Sequence, residues 1–537
     1  MRTVPGITSA DVRSRIYLIA DDSMGGREAG APGNYAMTSY LAKEMARLKL
    51  EPGGENGTWF QVIPMVRRQA DSTSALIVKG RQLALFRDFA LIRPTATVRF
   101  TSSLAPGKYP TAYGGRLGDS TVALLDVAGK FIVFDAPLDS TRKPTGVYNT
   151  PAASAIARYP AAAGILISSL DIVTAASRSS LRGRGPGLSE ANASRASRPF
   201  GMVISADAAR TIMGAPLASV TPGTRGADVQ AAVRFSETPV ASPARNVIAI
   251  LRGSDPVLRG QFVAIGAHSD HIAPAARAVD HDSLRAWNRV MRPNGADSRG
   301  AGRAVPTAAE LTRIHAVLDS VRKLHPPRRD SIYNGADDDG SGSTALLEIA
   351  ESLSGRKAPR RSTLFVWHTA EESGLLGSAW FAENTTVPHD SIVAQLNMDM
   401  VGRGTAMDTP RGGPRNVQII GSRRLSTDLG DLVDSVNARR NEPYVIDYSF
   451  DAPRHVQNRY CRSDHYMYAR SGIPIAYISR GYHEDYHMVT DEPQYIDYEG
   501  LARVAGFVRD IAVAIANRSD RVRVDKPKPN SIAPCRQ

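Results

Sequence analysis

Cysteine is almost absent: the chain of 537 residues has two, Cys461 and Cys535. That scarcity excludes a disulfide-rich framework and a zinc ribbon. The two either pair, tying the tail back, or stay free thiols. Long apolar runs are missing too, with no stretch reaching the ~18 residues of a membrane span, so none is expected. The opening Met1-Arg2-Thr3-Val4-Pro5 lacks the apolar stretch of a signal peptide. The expectation is a secreted or periplasmic protein whose leader is not part of this sequence, with a cytoplasmic one as the alternative.

Blocks of like charge are also lacking. The net charge of +13 is scattered, mainly over arginines, rather than gathered into one helix or arm. A solvated basic surface therefore reads better than a nucleic-acid surface, and no nucleic-acid partner is expected. With 42% apolar and 22% charged residues the composition is that of an ordinary globular protein. The length exceeds what one core fills, which predicts two domains. Oligomeric state is not legible.

Residues 1–67 read as helix-rich with a closing strand: Ser39, Tyr40, Leu41, Met45 and Leu48 make a helical stripe ahead of a strand-like 58–63. Across 68–240, short β-like runs (121–125, 130–134, 164–167, 201–204) alternate with loops, and no acid–histidine cluster occurs. Gly183-Arg184-Gly185-Pro186-Gly187 superficially looks like a dinucleotide loop, but its arginine and proline fit a turn better. From 241 to 520 the pattern is α/β, with apolar runs at 246–251, 262–267, 364–367, 393–396 and 473–478 between helical stretches such as 343–353. Strands apolar on both faces predict a mixed, mostly parallel sheet sandwiched by helices. Residues 521–537, rich in Lys, Arg and Pro, are expected to form a flexible tail.

Acids and histidines gather where these strands end. Ile265-Gly266-Ala267 runs into His268-Ser269-Asp270-His271, the run 364–367 into His368 and then Glu371-Glu372, and Leu396-Asn397-Met398 into Asp399. Asn334-Gly335-Ala336 leads into Asp337-Asp338-Asp339 just before a helix-like run. In open α/β sheets ligands sit beyond the carboxyl ends of the strands, and carboxylates with imidazoles are what a hydrolytic zinc site requires. Each cluster has a bland alternative. His268 can be structural, the three aspartates an acidic helix start, Glu371-Glu372 a solvated pair, and 485–487 a polar loop. All four alternatives must hold together for the site to vanish.

The order Gly-Ala-His-Ser-Asp-His, Asn-Gly-Ala-Asp-Asp-Asp-Gly-Ser-Gly, Ala-Glu-Glu-Ser-Gly-Leu-Leu-Gly-Ser, Asn-Met-Asp-Met-Val-Gly and Tyr-His-Met-Val-Thr-Asp-Glu-Pro resembles the co-catalytic di-zinc aminopeptidases. That family includes the glutamate carboxypeptidase-like enzymes. The resemblance covers about 245–515 and the opening Asp22-Ser23-Met24-Gly25-Gly26-Arg27-Glu28, while the middle module resembles, more loosely, an inserted protease-associated domain. It implies two zinc ions per chain and peptide substrates. His268 and Asp399 would hold one zinc, Glu372 and His487 the other, and Asp338 would bridge them. Asp270 would orient His268 and Glu371 would act as general base. Independently, two cations about 3.5–4 Å apart need a shared carboxylate to offset their repulsion. Neighbouring glutamates cannot serve one ion equally, so one can ligate while the other addresses the water.

Tyr482, His483, Asp464 and His465 are candidate substrate-binding residues, with a structural role open for His271, Asp464 and His465. Arg403, Arg462 and Arg480 lie near the motifs and offer a cationic pocket. The long segment 273–333, with a capping box at Thr307-Ala308-Ala309-Glu310 and a helical stripe at Leu311, Ile314, Val317, Leu318 and Val321, is expected to overhang the site as a lid or wall. The resemblance implies a zinc exopeptidase, first an aminopeptidase, alternatively a carboxypeptidase or dipeptidase. A non-catalytic receptor-like relative would show broken ligands, and a glutaminyl cyclase of this type usually works with one zinc.

Overall fold

The computed structural model describes residues 3–93, 103–118, 127–138, 142–144, 159–173, 181–183, 185–189, 199–297, 305–324, 326–409, 411–455, 457–530, 535 and 537. The strand-like run 121–125 and Arg184 lie outside the described residues. The chain divides into two compact units, Met1–Ile63 with Ala241–Pro529 and Arg536–Gln537, and Pro64–Val240 with Asn530–Cys535. Cys461 and Cys535 are both disulfide-bonded. Among the described residues no helix is long and apolar enough to cross a membrane.

The larger unit is built on a nine-stranded mixed sheet. Its centre is four adjacent strands in the order Ser362–His368, Phe262–His268, Ile392–Met398 and Ile475–Ser479, all parallel. Arg245–Leu251 runs antiparallel on one flank and Asn416–Ile420 on the other. The central strands are buried at every residue, because helices cover both faces. Successive side chains of a strand point to opposite faces, and Trp367 and His368 show the two layers. The Trp367 indole donates to the carbonyl of Ser343 in the helix Gly340–Ser354. His368 packs against Phe381 and Tyr468 of the helices Leu376–Glu383 and His465–Ser471.

Ser9–Ile19, Pro32–Arg47, Gly340–Ser354 and Tyr498–Asn517 contribute to one continuous core with the sheet. Gly340–Ser354 starts with small residues, Gly-Ser-Gly-Ser, which lets its backbone lie close to the strand ends; a Cβ at Gly342 would fall 2.5 Å from the carbonyl of Met398.

The smaller unit holds a five-stranded sheet in the order Phe89–Leu91, Phe200–Ile204, Gly164–Ser168, Phe131–Asp135 and Thr111–Arg116, and a six-stranded sheet centred on Val229–Pro239. Apolar side chains from both sheets share one core, including Phe131, Phe200, Leu76 and Val229. Gly185–Leu188, expected to be a turn, is instead a strand at the edge of the second sheet, paired with Met65 to Arg68. Proline is tolerated there because an edge residue can do without its donor.

The tail also departs from expectation. Arg521 donates to the carbonyl of Asp390 at 2.7 Å, the Asp525 amide to Leu425 at 3.1 Å and the Lys526 ammonium to Arg423 at 2.6 Å. Basic side chains that read as solvated find carbonyl acceptors, Arg521 ahead of the strand Ile392–Met398 and Lys526 in the loop before the helix Thr427–Ala438.

Candidate metal centre

The four parallel strands end level with one another: His268 stands opposite His368, and Asn397 opposite Tyr477. Their carboxyl ends therefore deliver His268, the Glu371-Glu372 turn, Asp399 and the loop to His487 into one volume. Three residues flanking or bearing the chemistry adopt left-handed backbone although none is glycine, Ala370 at φ 59°, Met400 at φ 58° and His487 at φ 57°. Such conformations cost on the order of 1 kcal/mol and persist only where surroundings over-determine them.

The three consecutive aspartates divide their work. Asp339 accepts from the amides of His268 at 3.0 Å, Gly342 at 2.9 Å and Met400 at 3.2 Å, tying two strand ends to the start of the helix. Asp337 accepts from Gly402 at 2.6 Å and stands 3.3 Å from His483 Nε2. Asp491 accepts from the amides of Asp337 and Asp338, at 3.1 Å in each case. Asp338 is left free to face the cluster, and the peptide that follows it is cis.

Around Asp338 the other groups converge. His268 Nε2 lies 3.2 Å from one Asp338 oxygen and 3.9 Å from Asp399. His487 Nε2 lies 3.1 Å from the other Asp338 oxygen and 3.1 Å from Glu372. Two triads, His268–Asp338–Asp399 and His271–Asp338–Glu372, have donor atoms within 4.8 Å of one another, and Asp338 belongs to both. Yet His268 Nε2, Asp338 Oδ2 and Glu372 Oε1 are buried without a well-aligned hydrogen bond. Atoms that approach closely without hydrogen-bond alignment are aimed at a shared centre between them, and the donor set of imidazole nitrogens and carboxylates suits zinc.

The electrostatics agree. Burial opposes a charge on His268, but Glu371, Asp270 and Asp338 outweigh it and hold the imidazole well above its ordinary range. Burial pushes Asp399 up to about 6 and Glu371 well above the usual carboxylate range, opposed in both cases by His268. Burial and Asp338 would raise Glu372, but His487 and His271 bring it down to about 2. So many buried acids, relieved chiefly by imidazoles, favour a cation.

The adjacent glutamates diverge as their chemistry requires. Glu372 turns to His271 and His487, whereas the Glu371 amide is fixed at 3.1 Å by the Asp270 carboxylate. That changes the expected part of Asp270. It is the Asp270 backbone carbonyl, at 3.1 Å, that holds His268 Nδ1, with the carboxylate farther away at 3.7 Å. His271, whose role the sequence left open, is buried with Nδ1 2.7 Å from Glu372. The signal for it was the second histidine of His268-Ser269-Asp270-His271.

The substrate-binding candidates separate. His483 is buried between Asp337 and the amide of Asp485, and His465 bonds the carbonyl of Tyr460 at 2.8 Å and stacks on Tyr477. Both rings are buried and hold neighbouring backbone through one nitrogen each, while His465 Nδ1 and His483 Nε2 have no aligned hydrogen bond. Tyr482 is buried too, its hydroxyl 3.3 Å from that of Tyr477 and its ring stacked on Tyr486, which stacks in turn on His487. Asp464 is buried and pushed up to about 7 by its burial, with His268 opposing. Of the three arginines, Arg403 is sealed against Asp408 and Asp485, and Arg480 against Asp497. Arg462 remains exposed.

The segment 273–333 buttresses the loop of His487. The helix His281–Met291 presents Arg285 and Asn288 to Asp485, Arg292 bonds the carbonyl of Glu484, and the Ala296 amide bonds that of Tyr482 at 3.2 Å. The helix Ala308–Arg322, with its capping box formed, packs on the outside of His281–Met291. Residues 298–304 lie outside the described residues.

Residues 246–512 match the model of Peptidase family M28. A probable leucine aminopeptidase of Arthroderma otae is 28% identical over 223 residues, 39% of this chain and 56% of that protein. Leucine aminopeptidase 1 of Sclerotinia sclerotiorum is 32% identical over 198 residues, 34% of this chain and 47% of that protein. The chain thus spans about half the length of these relatives. Among solved structures it is similar to an aminopeptidase from Aneurinibacillus sp. strain AM-1, with 17% identity, a TM-score of 0.49 and coverage of 97% of this chain and 98% of that one.

Proposed function

We propose that this protein is a two-zinc exopeptidase that removes residues from the N-terminus of peptides. The observation that carries the reading is Asp338, shared by two triads of donors at the ends of adjacent strands, with Glu371 beside them and outside both. His268 and Asp399 would hold one zinc, Glu372 and His487 the other, and Asp338 would bridge. The metal pair supplies polarisation of the scissile carbonyl and a lowered pKa for the attacking water.

Glu371 takes the proton from that water and returns it to the leaving amine. Its amide is pinned to Asp270, which keeps the residue beside the two donor triads and outside them. Direction follows from charge. Acids around the centre can take an α-ammonium, whereas Arg403 and Arg480 are sealed in ion pairs and offer no buried cationic pocket for an α-carboxylate. The similarity to leucine aminopeptidases supports the same direction. A receptor-like relative would have lost donors, and all five are in place. The two-sheet unit 64–240 we read as a protease-associated-like module.

The test is a free-amino peptide against its N-acetylated form. Acetylation should slow cleavage at least about a hundredfold, the size of a lost charge-assisted contact. Equal rates, with C-terminal amidation blocking cleavage instead, would favour the carboxypeptidase reading.

A further inference from the structure

Most of the metal centre is closed. His268, Asp338, Asp399 and Asp464 are buried, and access runs past Glu371, Glu372, Tyr486 and His487, which are partly exposed, and Arg462, which is exposed. Arg462 Nη2 donates to the Tyr486 hydroxyl at 3.0 Å, and its Cζ lies 5.4 Å from the centre of the Tyr482 ring. Tyr486 in turn stacks on His487 with ring centres 3.8 Å apart. The guanidinium is thereby held at the rim of the centre, close enough to Glu371 for their charges to act on one another. Its neighbours among the arginines are committed: Arg285 and Arg403 to Asp485, and Arg292 to the carbonyl of Glu484. Arg462 has no carboxylate in an ion pair among the described residues, and its side chain is exposed.

We infer that Arg462 binds a carboxylate carried by the residue that leaves, so that the enzyme favours peptides whose second residue is acidic or is itself the C-terminus. This rests on the aminopeptidase reading. In that reading the ammonium end goes to the buried acids, and Glu371 hands its proton to the leaving nitrogen. The atoms just beyond that nitrogen then pass the exposed side of Glu371, where Arg462 stands. In a dipeptide the α-carboxylate lies one carbon from the leaving nitrogen, and in a longer peptide an acidic side chain at the second position reaches the same region. A planar guanidinium already steadied by a phenol oxygen and a ring is preorganised to take such a group in a two-point hydrogen bond.

The zinc-loaded full chain is assayed with Leu-Gly against Leu-Gly-amide, and with Leu-Glu-amide against Leu-Gln-amide, so that the two pairs separate main-chain from side-chain carboxylates. At least one pair should show kcat/KM about tenfold higher for the anionic member, the scale of one charge-assisted hydrogen bond. Arg462→Met should bring that ratio to near one, and Arg462→Lys should restore part of it as a point charge. Calorimetric Kd values of the same four peptides on the Glu371→Gln protein give the ratio without turnover. Ratios near one in the unsubstituted protein for both pairs, or a ratio that survives Arg462→Met, overturn the proposal. N-acetyl-Leu-Gly cleaved as fast as Leu-Gly would instead remove the aminopeptidase reading, and the acid-to-amide ratio would still judge Arg462 separately.

Discussion

Beneath the helices of the larger unit, the buried guanidinium of Arg15 gathers three carboxylates. Glu348 lies 2.6 Å from Nε, Glu44 3.4 Å from Nη1, and Glu351 against Nη2. At the ends of the central strands, Asp338, Asp399, Glu371, Glu372 and Asp464 crowd together with imidazoles, and among the described residues no arginine forms an ion pair with them. The first cluster carries its own guanidinium, although burial still pushes Glu348 up to about 8 against the pull of Arg15. Buried polar atoms without an aligned hydrogen bond occur in both, Arg15 Nε and the Glu348 oxygens in the first and His268 Nε2, Asp338 Oδ2 and Glu372 Oε1 in the second, so the difference lies in the counter-charge. Both remove charge from water, which is costly unless compensated. A cluster that brings its own counter-charge can be structural, whereas one that lacks it waits for a cation from outside.

Glu371→Gln separates base from ligand most sharply. It should lower kcat by roughly two to four orders of magnitude while both metals stay, because Glu371 lies outside both donor triads. Glu372→Gln should weaken one metal instead. Loss of zinc from Glu371→Gln with comparable activity after reloading would exchange the two roles.

The other cluster should answer through stability alone. Arg15→Met strands the buried Glu348 and takes one arginine from Glu44 and Glu351, which keep Arg47; it should cost about 3–5 kcal/mol of unfolding free energy, with zinc content of the folded protein unchanged. A metal loss as large as the stability loss, measured on protein that still unfolds cooperatively in urea, would erase the contrast between the clusters.

Intermediate effects belong to the buttress. Arg285→Met combined with Asn288→Leu removes two partners of Asp485, leaving Arg403 and Thr490, and so loosens the loop of His487. One of two metals should bind about ten- to a hundredfold more weakly, as when an outer hydrogen bond to a ligand is removed. Equal affinities for both metals before and after, by competition with a chelator, would reduce 273–333 to surface.

The motifs at strand ends were legible because short apolar strands and the acids that follow them are local in sequence. The work of Asp339, Asp491 and Arg403 was not. Asp339 and Asp491 act on backbone amides, Asp491 reaching residues 153 and 154 positions away, and no side-chain pattern announces an acceptor for a distant amide. Arg403 was read as a possible substrate contact since its sealing partners, Asp408 and Asp485, come together only in the fold. The same holds for 273–333. Its second helix could be read from its capping box and stripe, but the first, His281–Met291, meets Asp485 through polar side chains and was not read, so the segment suggested an overhang rather than a buried joint.

The smallest expected effect concerns pH. His465 is brought down to about 3 by burial, from 6.5 when unfolded. The folded chain keeps it neutral while the unfolded chain takes up a proton, so its contribution is present above about pH 6.5 and lost as pH falls toward 3, at about 1.4 kcal/mol per pH unit. His465→Phe should therefore lose stability less steeply between pH 6 and pH 4 in urea titrations. Parallel slopes would mean that His465 charges inside the fold.

The central claim is that the unfinished cluster holds two metals through one shared carboxylate. Zinc per chain, measured by elemental analysis on protein stripped and then reloaded, should approach two, and Asp338→Asn should abolish the paired binding. Saturation at one zinc in the unsubstituted protein would contradict the bridging role of Asp338.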